Sequence, residues 1–174
     1  MIDLHARLVN HLEQVAGLDR ELEFLPSDEE VADRKAAHKG FLSPELAVVM
    51  AYCKIDLYSR LVESDLPEDP YLRHDLERYF PAPLPERYSE QMRDHRLRRE
   101  IIATVVANQL VDRAGTTFAF RVGEEVGAPA DLLARGYAVA REVFDMRSFW
   151  RQMEALDNKV TPRSSLKCFS MGAA

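Results

Sequence analysis

The run Ile101 to Val111, "IIATVVANQLV", passes without a charge in a chain that is 30% charged. Turned by 100° per residue, it places Leu97, Ile101, Val105 and Asn108 on one side of a helix and Ile102, Val106 and Leu110 on another. Apolar residues then cover most of the circumference, so this helix must be enclosed by others. The run is about half of the ~20 residues needed to span a bilayer, so no membrane segment is expected. The spacing predicts one long helix from about Glu86 to Ala114, with Gly115 as its stop, at the centre of an all-α, multi-helix bundle.

The rest of the chain supplies the helices that would surround it. "IDLHARLVNHLEQVAG" carries Ile2, Leu4, Leu8, Leu12 and Val15 on one stripe and ends at Gly17. Ser27 is a cap followed by acids in a first turn, and Gly40 would stop that helix. Ser43, Pro44 and Glu45 mark the next start, after which Leu46, Val49, Met50, Cys53, Leu57 and Leu61 recur at helical spacing. Asp69–Pro70 opens another helix that ends against Pro81, and "PAPLPERY" reads as a proline connector or a rigid elbow. Thr116 to Val122 alternates in a way that suits a strand. A helix from Thr116 or Thr117 is preferred, because no second strand exists to pair with it. Two further helices follow Pro129. Residues 1–160 are expected to form a single helical domain, and residues 161–174, which show no periodicity, a disordered tail.

The net charge of −6 argues against a general affinity for nucleic acid or anionic lipid. Arg93, Arg96, Arg98 and Arg99 are interleaved with Asp94 and Glu100, the pattern of a solvated, salt-bridged turn; phosphate binding is the functional alternative. Asn108, if enclosed, needs hydrogen-bond partners, either on a neighbouring helix or on a ligand. Lys54 borders an apolar stripe and would send its ammonium to water.

His5, His11, His38, His74 and His95 are scattered and never form the i, i+4 pair of a zinc helix. The adjacent pairs Glu29–Glu30 and Glu124–Glu125 read as solvated charge. Gly115, Gly123 and Gly127 are too widely spaced for a dinucleotide fingerprint, and no βαβ pattern surrounds them. Cys53 and Cys168 have no metal-ligand spacing and make no disulfide framework, and no signal peptide is read at the N-terminus. No catalytic, cofactor-binding or metal-ligating residue is therefore assigned.

Three blocks carry a resemblance: "FLPSDEEVADRKAAHKGFLSPELAVVMAYCKIDLYSRLVESDLPEDPYLRHDLERYFP", "HRLRREIIATVVANQLVDRAGTTFAFR" and "AREVFDMRSFWRQMEALDNKV". Over roughly residues 20–160 the chain resembles the C-terminal helical region of the large bacterial NAD-dependent glutamate dehydrogenases. The resemblance implies a non-catalytic, cytoplasmic segment of an oxidoreductase that converts L-glutamate, NAD and water to 2-oxoglutarate, ammonium and NADH. It would pack on the catalytic core or help build a homo-oligomer. NAD would belong to the parent enzyme, with no cofactor in this segment. A free-standing helical regulatory or interaction module is the alternative.

Overall fold

The computed structural model describes residues 2–157 and Lys159. The described residues are helical and turn structure with no strand, as the periodicity predicts. They fall into two compact units, Met1–Arg135 and Gly136–Ala174. The tail expected over residues 161–174 lies outside the described residues.

In the first unit the helices are α1 (Ile2–Val15), α2 (Asp28–Ala36), α3 (Ser43–Glu63), α4 (Arg73–Tyr79), α5 (Pro83–Arg93), α6 (Arg98–Gln109) and α7 (Phe118–Val126). α8 (Ala130–Val143) begins in this unit and continues into the second, which also holds α9 (Met146–Glu154). α3 and α6 make the most extensive packing, and α4 lies on α6. Val49, Cys53, Leu57 and Leu61 bury one face of α3, while Ile102, Ala103, Val106 and Ala107 bury one face of α6. Ala103 and Ala107 add almost no side-chain bulk to the buried face of α6, and small residues let a helix pair approach closely.

The central element differs from the single helix expected over residues 86–114. It breaks at Asp94–Leu97, and α6 starts at Arg98. His95 makes the break, its ring Nδ1 accepting from the Leu97 N–H at 3.1 Å, a local bond that competes with the helical ladder. Nor is α6 enclosed all round. Ile102, Val106 and Leu110 are buried, but Ile101, Val105 and Asn108 are only half-buried and Leu97 is exposed. Residues Leu110–Ala114 then widen into a π turn that ends at Gly115, whose φ of +103° requires a residue without Cβ strain.

Smaller boundaries also move. Ser27 caps α2, and it does so through a full capping box: its Oγ accepts from the Glu30 N–H at 3.2 Å, and Glu30 accepts from the Ser27 N–H at 2.8 Å. Glu30 is therefore a cap and not simply solvated charge. The α2 helix ends at Ala36, before Gly40, with His38 taking the left-handed conformation at φ +54°. Leu42, not Ser43, is the cap of α3. The prolines of "PAPLPERY" lead into α5 and do not stand as a separate connector: Pro83 and Pro85 occupy a first turn whose N–H groups have no helical acceptors. Thr117 precedes α7, so the segment that could have been a strand is a helix.

Candidate functional site

A half-open cavity of about 440 Å³ lies in the first unit, lined by α1, α3, α7 and the start of α8. Its size is that of a small-molecule pocket. Leu8, Leu12, Leu57 and Leu133 give it apolar walls, and His11, Asp56, Arg60 and Glu124 its polar ones. The periodicity of α3 explains the placement. Cys53, Asp56, Leu57 and Arg60 stand at i, i+3, i+4 and i+7 and therefore share a side of the helix.

Arg60 organises the polar wall. Its Nε donates to Asp56 Oδ1 at 2.9 Å, and its Nη2 bonds Asp56 Oδ2 and reaches His11 Nε2 at 3.0 Å. A guanidinium has no acceptor, so His11 Nε2 must accept, which fixes the neutral tautomer with the proton on Nδ1. The His11 and Phe120 ring centroids lie 5.2 Å apart, and Arg7, held by Glu124, stands 5.8 Å over the same Phe120 ring. Cys53 Sγ faces the Thr116 carbonyl at 3.5 Å. Burial pushes its thiol up to about 12, with Asp56 adding to the effect, so the sulfur is protonated and a poor nucleophile. The cavity can enclose a ligand, but its groups are committed to one another and not set out as an acid–base pair.

The residues singled out by sequence are not brought together here. The basic cluster lies at the α5–α6 break. Arg93 pairs with Glu77 at 3.1 Å, and Arg98 and Arg99 both pair with Glu68, at 3.3 and 2.7 Å; Arg96 is exposed. The turn is salt-bridged, as its composition predicts, but Glu68 and Glu77 supply these carboxylates in place of the interleaved Asp94 and Glu100. Because α6 begins at Arg98, the Glu68 carboxylate opposes the two arginines of its first turn. It is held below the usual carboxylate range, first by Arg99 and then by Arg98. Arg99 Nη2 also donates to the Val62 and Ser64 carbonyls, both at 2.9 Å, at the C-terminal end of α3. A planar fork suits this triple contact and an ammonium does not. Arg99→Lys is expected to cost roughly 1–2 kcal/mol of stability, read as a fall in the urea midpoint without a change in slope.

Lys54 sends its ammonium to Asp112, at 2.7 Å, and not simply to water. Asn108 borders a shallow depression with Lys54, Tyr58 and Thr104, so it is not the enclosed amide expected. Glu124 and Glu125 are exposed, as the sequence suggests, and each meets an arginine there, Arg7 and Arg121. His5 packs 5.5 Å from Phe41, with burial lowering its pKa, and His74 approaches Glu77 at 3.8 Å. Among the described residues no group of three or more His, Cys, Asp or Glu side chains could hold a metal ion. Nor is any helix long and apolar enough to cross a membrane.

The glycines do not fit a dinucleotide. Gly115 follows the π turn and Gly127 closes α7. Gly123 lies within α7, where an added Cβ would stand 3.6 Å from Leu133 Cδ1, in ordinary contact with a side chain. No strand leads into any of them among the described residues, so the strand–turn–helix that presents backbone N–H groups to a pyrophosphate is missing.

Comparison with known proteins gives one family. The model described as "Glutamate dehydrogenase, C-terminal" matches residues 38–171. The chain is 47% identical over 156 residues to the NAD-specific glutamate dehydrogenase of Halomonas elongata, and 46% identical over 156 residues to that of Pseudomonas aeruginosa. It is 40% identical over 155 residues to the enzyme of the same name from Mycobacterium tuberculosis. These matches cover 90%, 90% and 89% of the chain but 10% of each relative, so the chain spans about a tenth of their length.

Proposed function

We propose that this chain, which belongs to the glutamate dehydrogenase C-terminal family, is a non-catalytic helical segment of an NAD-dependent glutamate dehydrogenase. It packs on the catalytic core or builds the oligomer of a cytoplasmic enzyme. The whole enzyme would oxidise L-glutamate with NAD and water to 2-oxoglutarate, ammonium and NADH.

The observation that carries this reading is the coverage: nine-tenths of the chain aligns with relatives of which it is only a tenth. The side chains support it from the other direction. Hydride transfer between glutamate and a nicotinamide needs a nucleotide cradle and a general base beside the substrate. Here the glycines offer no cradle, the Cys53 thiol is protonated, and the free lone pair of His11 is taken up by Arg60. NAD is accordingly a ligand of the rest of the enzyme.

The test is direct. The purified chain, mixed with L-glutamate and NAD, is expected to produce no NADH above the enzyme-free rate. Deleting the segment from the full-length dehydrogenase is expected to change its assembly state or its stability. Turnover by the chain alone would overturn the non-catalytic assignment.

A further inference from the structure

α8 has two unlike faces over its second half. Ala138 and Arg141 are buried, at 4% and 3% exposure. Gly136, Val139, Ala140, Val143 and Phe144 are all exposed, Val139 to 59%, Val143 to 71% and Phe144 to 72%. These five residues stand at i, i+3, i+4, i+7 and i+8, the spacing that places side chains on one helix face, with Phe144 just past the end of α8 and its N–H still bonded to the Ala140 carbonyl, and none is charged. At 100° per residue they centre on the side opposite Ala138 and Arg141. The sequence therefore writes a buried stripe on a face that is open to solvent. Such a contiguous apolar face marks an interaction surface, unlike isolated exposed side chains.

The face also has a shape. Gly136 and Ala140 lie one turn apart and form a low floor, and a Cβ added at Gly136 would meet nothing within 4 Å. Val139, Val143 and Phe144 rise beside it. A second helix crossing this floor can approach at the short end of the interaxial range. With no charge on the stripe, the complementary surface is an apolar helix face.

We propose that this face of α8 seats a helix from the part of the dehydrogenase that lies outside these 174 residues. The proposal rests on the reading of the chain as a segment of that enzyme and names the surface through which it is joined. The occupant follows from length: about nine-tenths of each relative lies outside the region this chain matches. A second copy of α8 is the competing occupant.

The experiment places the photo-cross-linker p-benzoylphenylalanine at Val143, and separately at Val139, in the full-length dehydrogenase. A third probe replaces Tyr79, which is 58% exposed on α4 in the first unit. Peptides joined on irradiation are identified by mass spectrometry. Adducts from Val143 or Val139 to a peptide outside these 174 residues are the expected result. Adducts to α8 of a second copy overturn the proposal in favour of self-association. If Tyr79 alone cross-links outside the segment, the α8 surface is overturned while the packing role stands. If none of the three probes does, both fall.

Discussion

Replacing Leu61 by alanine is expected to lower the unfolding free energy by about 2–5 kcal/mol, a large share of the roughly 5–15 kcal/mol a domain of this kind has to lose. Leu61 is 0% exposed and closes the buried face of α3 that begins at Val49. α3 as a whole makes the most extensive packing of the described residues, with α6. Truncation removes the transfer free energy of three carbons and leaves a cavity. Buried surroundings such as the turn at Leu66, itself 0% exposed, are too tightly packed to fill that cavity without moving backbone. The matched control is Ile55→Ala on the same helix, where the side chain is 50% exposed and the cost should stay within about 1 kcal/mol. Urea unfolding of the two variants decides it. Equal midpoints would mean that this buried face of α3 is not part of the core of the fold.

The residues behind that prediction were legible because they repeat. Val49, Cys53, Leu57 and Leu61 return every fourth position, and one wheel finds them. The same wheel overstates α6, since it scores Ile101 and Val105 as apolar without knowing which sides have neighbours. It also passes over Ala103 and Ala107, which are fully buried. The break at Asp94–Leu97 contains neither proline nor glycine. It depends on the His95 ring bonding the Leu97 N–H, together with arginines drawn towards Glu68 some thirty positions earlier in the chain. The cavity was hidden for the same reason. His11 and Arg60 are 49 positions apart, and nothing local to either announces the other. Periodicity reports one helix at a time, whereas these features are agreements between helices.

Glu45 is the sharpest instance, and it gives the second large effect. Sequence reads it as an acid favourably placed at a helix start, yet it is buried, at 8% exposure. Its Oε2 accepts from the Leu42 N–H at 2.6 Å and from Arg34 Nη1 at 2.7 Å, so one oxygen both caps α3 and ties it to α2. Burial alone would raise the pKa of this carboxyl. The bonds from Arg34 and the Leu42 N–H outweigh burial and hold it below the ordinary glutamate range. A carboxylate depressed in the folded state contributes stability that is fully present above its unfolded value. That contribution is lost as pH falls through the lower folded value. Stability is therefore expected to decline in the window that opens near pH 4.3, about the unfolded value, and runs downward. Glu45→Gln, which keeps an acceptor for the Leu42 N–H but cannot titrate, should flatten that decline while lowering stability at neutral pH. Glu45→Ala leaves the Leu42 N–H without its acceptor and Arg34 without its partner, at a cost of about 1–3 kcal/mol. Urea midpoints measured across the acid range for all three proteins carry the decision: if the Gln variant falls as steeply as the parent, the acid sensitivity belongs to other carboxylates and not to this one.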